Sequence, residues 1–222
     1  MFELLYFTAL ALLLGFKHSY DADHLMAVSN LLRRAGSMRR ALWLGFSWSI
    51  GHAITAGAMT VLLYHFREFV FQEALLYFEY VVGAMLVALG LYTLWSLTRN
   101  WTLHSHRHAH GSLEHEHIHI HRSRREEGHL HYGMLGIGLV HGLASNDELL
   151  LLLTTSLSVR SFAGMLFGVI VFSIGVVVGM VAFSALFTYP LLRAHSEKIT
   201  ATVELLVGLA SVAYGALVLM GA

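Results

Sequence analysis

Long apolar runs separated by short polar ones dominate the chain. A helix needs about 20 apolar residues to cross roughly 30 Å of hydrocarbon. Six segments meet that requirement, at about 3–31, 41–64, 77–98, 133–157, 162–189 and 200–221. Between the third and the fourth runs a polar stretch from about Arg99 to His131, which has no place in lipid. The pattern predicts an all-α polytopic membrane protein with six transmembrane helices. Its parts are a three-helix membrane unit over 1–98, an aqueous loop over 99–132 and a second three-helix unit over 133–222. The first run carries Glu3 where a signal peptide would be basic, and no small-x-small cleavage pattern follows, so it reads as a retained span.

Composition agrees with this reading. Hydrophobic residues make up 56% of the 222 and charged residues only 13%, too few for an ordinary soluble domain. Lys and Arg equal Asp and Glu in number, so no basic excess points to nucleic acid. The positions of the basic residues are informative. Eleven of the fourteen follow spans one, three and five (Arg33, Arg34, Arg39 and Arg40, then Arg99 to Arg125, then Arg193 and Lys198), whereas the opposite loops hold only Arg67 and Arg160. Cytoplasmic loops are enriched in Lys and Arg. The expectation is a plasma-membrane protein with both termini outside and the long loop in the cytoplasm. Without cysteine, any bound metal has to be held by imidazole, carboxylate, amide, thioether or backbone groups.

The two halves repeat at an offset of about 123 to 125 residues. Glu79-x-x-Val82-Gly83-x-x-x-Val87-Ala88-x-Gly90 recurs as Glu204-x-x-Val207-Gly208-x-x-x-Val212-Ala213-x-Gly215. Phe46-x-x-Ser49-Ile50-Gly51 is echoed by Phe172-Ser173-Ile174-Gly175, and Gly15-x-x-His18 by Gly138-x-x-His141. A three-span unit enters the membrane the opposite way the second time, which predicts two inverted three-helix repeats, an architecture common among secondary transporters.

Ionisable residues are costly at membrane depth and normally line a bundle interior where they carry function. Here they cluster in the first two spans of each half: Lys17, His18, Asp21, Asp23 and His24, then His52, then His141, Asn146, Asp147 and Glu148. On a regular helix His18 and Asp21, and Asp21 and His24, are i,i+3 neighbours, while Asp23 points away from His18. Two readings follow. Either the helix is distorted near Gly15, or Asp23 orients a ligand histidine instead of holding the ion itself. Imidazoles with carboxylates suit nickel, cobalt, zinc and copper(II). Glu79 and Glu204 read as structural carboxylates at the N-terminal ends of spans three and six. Ten of the sixteen histidines lie in the central loop, alternating as His104-x-His106-x-His108-x-His110 and His115-x-His117-x-His119-x-His121, then His129-x-His131. An extended backbone would align such imidazoles on one side for loose metal binding, to buffer or hand over the ion.

These motifs resemble the nickel/cobalt permease (NiCoT-type) family. Its marker helix, approximately R-H-A-x-D-A-D-H-I-x-A-I-D-N, is followed by Lys17-His18-Ser19-Tyr20-Asp21-Ala22-Asp23-His24-Leu25-Met26-Ala27-Val28-Ser29-Asn30. A second signature, L-G-H-S-T-V, corresponds to Ile50-Gly51-His52-Ala53-Ile54-Thr55. The third, G-F-D-T-A-T-E, is approached by Gly142-Leu143-Ala144-Ser145-Asn146-Asp147-Glu148, with Ala144 where the family has its first Asp. The resemblance implies that His18, Asp23 and His24 handle metal, and that Ni2+ or Co2+ is the transported substrate, with no catalytic cofactor. Six spans and a His-rich loop are similar to the family's smaller members, exporters among them, which leaves uptake and efflux both open.

The expected function is a secondary transporter alternating around a site built from His18, Asp21, Asp23, His24, His52, His141, Asn146, Asp147 and Glu148. Its partners would be the divalent ion and the lipid bilayer, and a homo-oligomer is compatible with the pattern. There is no Gly-x4-Gly-Lys-Ser/Thr phosphate loop, so an ion gradient or partner subunit would drive it, and titration of the same His and Asp groups offers proton coupling. Two other classes use similar residues. One is an intramembrane metal-dependent hydrolase, against which stand the missing His-Glu-x-x-His motif and the repeat. The other is a metal-sensing membrane protein built on the loop, which leaves the buried cluster unexplained.

Overall fold

The structure is a computed structural model and describes residues 2–66, 71–99, 101–110, 113–122, 130–144, 161–194 and 196–221. Seven helices and one two-stranded ribbon occur among the described residues. They run α1 (Phe2–His18), α2 (Ala22–Leu32), α3 (Met38–Phe66), α4 (Phe71–Arg99), β1 (Trp101–His110), β2 (Leu113–Arg122), α5 (Leu130–Ala144), α6 (Phe162–Ala194) and α7 (Glu197–Leu219). Among the described residues, three helical stretches are long and apolar enough to cross a membrane, Tyr77–Thr98, Phe162–Ala194 and Glu197–Leu219. Exposed Leu, Ile, Phe and Trp side chains stud their outer surfaces, as expected where the surrounding solvent is hydrocarbon.

The first apolar run departs from expectation. The single span expected over 3–31, with any distortion placed near Gly15, is two helices broken at residues 19–21. At the break the ladder tightens: the amides of Tyr20 and Asp21 donate to the carbonyls of Lys17 and His18, 2.9 and 3.0 Å away, before Leu25 resumes helical bonding to Asp21. Asp21 sits at the N-cap of α2 in extended conformation, yet its carboxylate makes no capping bond. It is drawn instead to Lys17 Nζ at 3.0 Å and His18 Nδ1 at 2.9 Å. The break leaves α2 as an eleven-residue half-helix, ended by a turn through Gly36, whose φ of +69° suits a residue without Cβ.

Helices α1, α6, α3 and α5 pack in that order as neighbours, while α4 pairs with α7, and α2 lies between the two groups. Small residues allow the closest approaches. A methyl group on Gly15 would run into the carbonyl oxygen of Phe172 on α6, and one on Gly138 into the carbonyl oxygen of Trp48 on α3. Without a hydrophobic effect between helices in lipid, such backbone proximity is what dispersion and weak polar contacts require. The main core fills the centre with Val28, Leu44, Trp48, Met134, Phe172 and Met180.

Helices α4 and α7 begin earlier than their apolar runs suggested, which corrects the position of two carboxylates. Glu79 is an exposed residue inside α4, and Glu204 is a buried residue inside α7, so neither occupies a helix N-terminus. The central segment, read as an aqueous loop that is flexible unless metal orders it, pairs two strands antiparallel with His104 opposite His119, His106 opposite His117 and His108 opposite His115. The ribbon stands outside the all-helical expectation, because strict alternation fits a period of two and not 3.6.

Close packing at the glycines generates the first prediction. Gly15→Ala and Gly138→Ala should each destabilise the protein by about 1–3 kcal/mol through overpacking against backbone that cannot move aside. Gly136→Ala, with nothing within 4 Å of its added methyl, should not. Thermal unfolding of the purified variants in detergent distinguishes the two cases.

Candidate metal centre

The break after His18 turns the start of α2 so that two histidines of one segment face a common point. His18 and His24 rings lie edge to face with centroids 4.6 Å apart. His52 enters from α3, with its ring 5.3 Å from His18 and 5.4 Å from His24, and His141 enters from α5 with its ring 5.0 Å from His24. All four are no more than 2% exposed. One ligand atom from each of His18, His24 and His52 can be chosen so that all lie within 4.8 Å of one another, and the same holds for Asp23, His24 and His141. His24 belongs to both groups.

Carboxylate and carbonyl oxygens fix the ring orientations. His24 Nδ1–H donates to Asp23 Oδ1 at 2.7 Å, and His141 Nδ1–H to the Ile137 carbonyl at 3.0 Å. His18 Nδ1 lies 2.9 Å from Asp21 Oδ2. A proton on Nδ1 leaves Nε2 with its lone pair, which is how carboxylates and carbonyls hold metal-binding imidazoles in one tautomer. With Nδ1 turned to an oxygen, Nε2 is the atom that each of these three rings could offer an ion. His18 Nε2 and His52 Nε2 stand 3.3 Å apart. With metal–nitrogen bonds of roughly 2.0–2.1 Å, two ligands of one ion sit about 2.9–3.5 Å apart, so this spacing suits a shared ion. His24 Nε2 and His52 Nδ1 are buried and make no hydrogen bond among the described residues. Neutral imidazole nitrogens with nothing to bind inside a bundle are costly unless a ligand meets them.

Of the residues singled out in the sequence, His18, Asp21, Asp23, His24, His52 and His141 come together. Asp23 reaches His24 directly and comes within 4.0 Å of His141 Nε2, so one carboxylate touches two rings. Of the two sequence alternatives, the helix does distort, though past His18, and Asp23 does orient a histidine. Asn146, Asp147 and Glu148 lie outside the described residues. Sequence reasoning missed the aromatic wall. Trp48 stacks on His52 with centroids 5.1 Å apart, meets His24 edge-on at 4.9 Å and borders His141, while Phe172 covers His18 at 5.4 Å. The available signal was spacing: Trp48 precedes His52 by one helical turn, and Phe172 follows Trp48 by the repeat offset.

A membrane-embedded helical bundle with four buried imidazoles beside partly exposed carboxylates fits a metal-ion transport protein. The comparisons with known proteins agree. Residues 4–221 match the family described as high-affinity nickel-transport protein (NicO), and the chain belongs to that family. It is similar to the urease accessory protein UreH of Bacillus sp. (strain TB-90), 30% identical over 208 residues that cover 90% of this chain and 86% of that protein. No solved structure matches it. The family is one of transporters, so the hydrolase alternative falls away.

Trp48 offers a direct reporter. Titrating Ni2+ into the purified protein should quench part of the tryptophan emission, and Trp48→Phe should abolish that quenching although three other tryptophans remain. Steady-state fluorescence checks both outcomes.

Proposed function

We propose that this protein is a secondary transporter of divalent nickel, with cobalt as a second substrate of the same site. The ion is held inside the membrane by His18, His24, His52 and His141, with Asp23 as the adjoining carboxylate and Asp21 orienting His18. Asn146, Asp147 and Glu148 complete the site from the second half. The observation that carries this reading is the 3.3 Å approach of His18 Nε2 to His52 Nε2 beside the unbonded His24 Nε2. Membership in a nickel-transport family supports nickel as the cargo. Borderline imidazole and carboxylate donors accept cobalt nearly as well, and selection against copper comes from geometry.

We read the architecture as six spans in two inverted three-helix repeats. Support comes from the crossings: Gly15 lies on the carbonyl of Phe172 and Gly138 on that of Trp48. These pairs are related by the 123- and 124-residue offsets seen in the sequence, so the first helix of each half packs on the second helix of the other. The α4/α7 contact is reciprocal in the same sense, with Gly83 against Gly215 and Gly90 against Gly208. Alternating access by rocking one repeat against the other then exposes the ion first to one side and then to the other. The basic residues orient the bundle with its termini outside and its His-rich ribbon in the cytoplasm. There, the His-rich segment buffers the ion or hands it over.

The test is uptake of radioactive nickel and cobalt into proteoliposomes. His18→Ala should reduce flux to background, and unchanged flux would overturn the assignment of the site. Asp23→Asn, which keeps the shape but weakens the grip on His24, should weaken nickel binding by about 10–100-fold, measured by calorimetry. Replacing 101–122 by a Gly/Ser linker should leave turnover intact while lowering the amount of nickel bound per protein.

A further inference from the structure

Beyond the metal centre, the most unusual feature of the interior is a second polar cluster at the far end of α2. Arg33 and Glu204 face each other at 3.4 Å with both side chains 1% exposed. Arg33 Nε–H donates to the Asn30 carbonyl at 2.8 Å, and its Nη2 donates to Ser96 Oγ at 3.2 Å. The Asn30 amide donates to Ser211 Oγ at 2.6 Å and its oxygen accepts from Thr93 Oγ1 at 2.6 Å. The cluster therefore ties α2 to both α4 and α7. The transport reading gives it no role.

We propose that this clamp is the latch of the transporter, with Asn30, Arg33 and Glu204 acting as positioning residues. They hold α2 so that His24 sits between the two halves of the metal centre, and they keep that centre closed toward the face bearing Arg33, Arg34, Arg39 and Arg40. This inference rests on the proposed transport function. Three observations carry it. First, α2 is a short lever bounded by the break at 19–21 and by the Gly36 turn. Asp23 and His24 lie in its first turn, and Asn30 and Arg33 at its other end. Secondly, Ala27 on the same half-helix packs with Val82 and Leu86 of α4 between the two polar clusters, so drawing α2 away from α4 and α7 would unplug the centre from that side. Thirdly, a purely static joint would not need charge here. The α4/α7 contact is made through Gly83, Gly90, Gly208 and Gly215, whereas a buried ion pair adds little net stability and is best attested as a register or switching device. With all four rings sealed from solvent, an ion can leave only if an element moves, and α2 is the element with a ligand at one end and a breakable contact at the other.

The chain contains no cysteine, so a single introduced thiol reports opening. Ala27→Cys, fully buried at the plug, is compared with Ala11→Cys, equally buried in the α1/α6 core, in proteoliposomes exposed to a membrane-impermeant maleimide on one side at a time. Adding Glu204→Gln, or Asn30→Ala where that variant folds poorly, should speed labelling at position 27 by about tenfold, as a tenfold larger open population requires. The increase should come from the arginine-bearing side only and leave position 11 unchanged. Equal labelling with and without the clamp substitution, an increase from both sides, or a parallel rise at position 11 would each overturn the latch. Labelling needs no ion, so its result is independent of whether His18→Ala stops nickel flux.

Discussion

Everything in this protein follows from the cost of placing imidazole and carboxylate groups where water is absent. A polar group in hydrocarbon has to find a partner within the bundle, and the chain satisfies that demand at one point by giving up helical regularity. Asp21 leaves its capping role to reach Lys17 and His18, the backbone tightens, and the segment resumes as a separate half-helix aimed in a new direction. The bent segment brings His18 and His24 ring to ring, and the other histidines need only arrive from the sides. A straight helix would keep Asp23 away from His18 and scatter the donors around its circumference.

The surrounding helices can come close enough to deliver those side chains because their crossings are made by glycine. At Gly15, Gly51, Gly138 and Gly175 the neighbouring backbone occupies the space a side chain would take, which draws α1 onto α6 and α5 onto α3. Trp48 and Phe172 then close the cluster with flat apolar faces, keeping the donors dry. Low polarity around an ion site strengthens each metal–ligand contact and raises the cost of leaving a donor empty. On the proposed transport reading, an ion held among these four buried rings is released by displacing protein.

Much of this was legible in the order of residues. Among the described residues the apolar runs fell on helices, though the first is two helices and the run over 133–157 is described only to residue 144, and the charges near His18 and His24 marked the interior cluster, because ionisable residues survive in such runs only with a partner. The glycines that recur at fixed offset marked the crossings. Other features could not be read. The run over 3–31 is uninterrupted by Pro, so nothing local announced a break at 19–21. It arises because Asp21 is held by two side chains of the preceding turn. Glu204 looked like a helix-terminal carboxylate because the apolar run starts near it. Its partner Arg33 is remote in sequence, and only the meeting of α2 with α7 makes them a pair.

The sequence by itself determined that the chain is membrane-embedded and that the ionisable residues within its apolar runs include imidazoles and carboxylates suited to a divalent transition ion. Those are properties of composition and periodicity, which hydrocarbon reads one residue at a time. Tertiary structure alone decided which donors share a point in space and what covers them. Such facts depend on where separate helices cross, since α3 brings His52 to His18 and α5 brings His141 to His24, whereas the Nδ1 atoms of His18, His24 and His141 meet their oxygens within four residues along the chain.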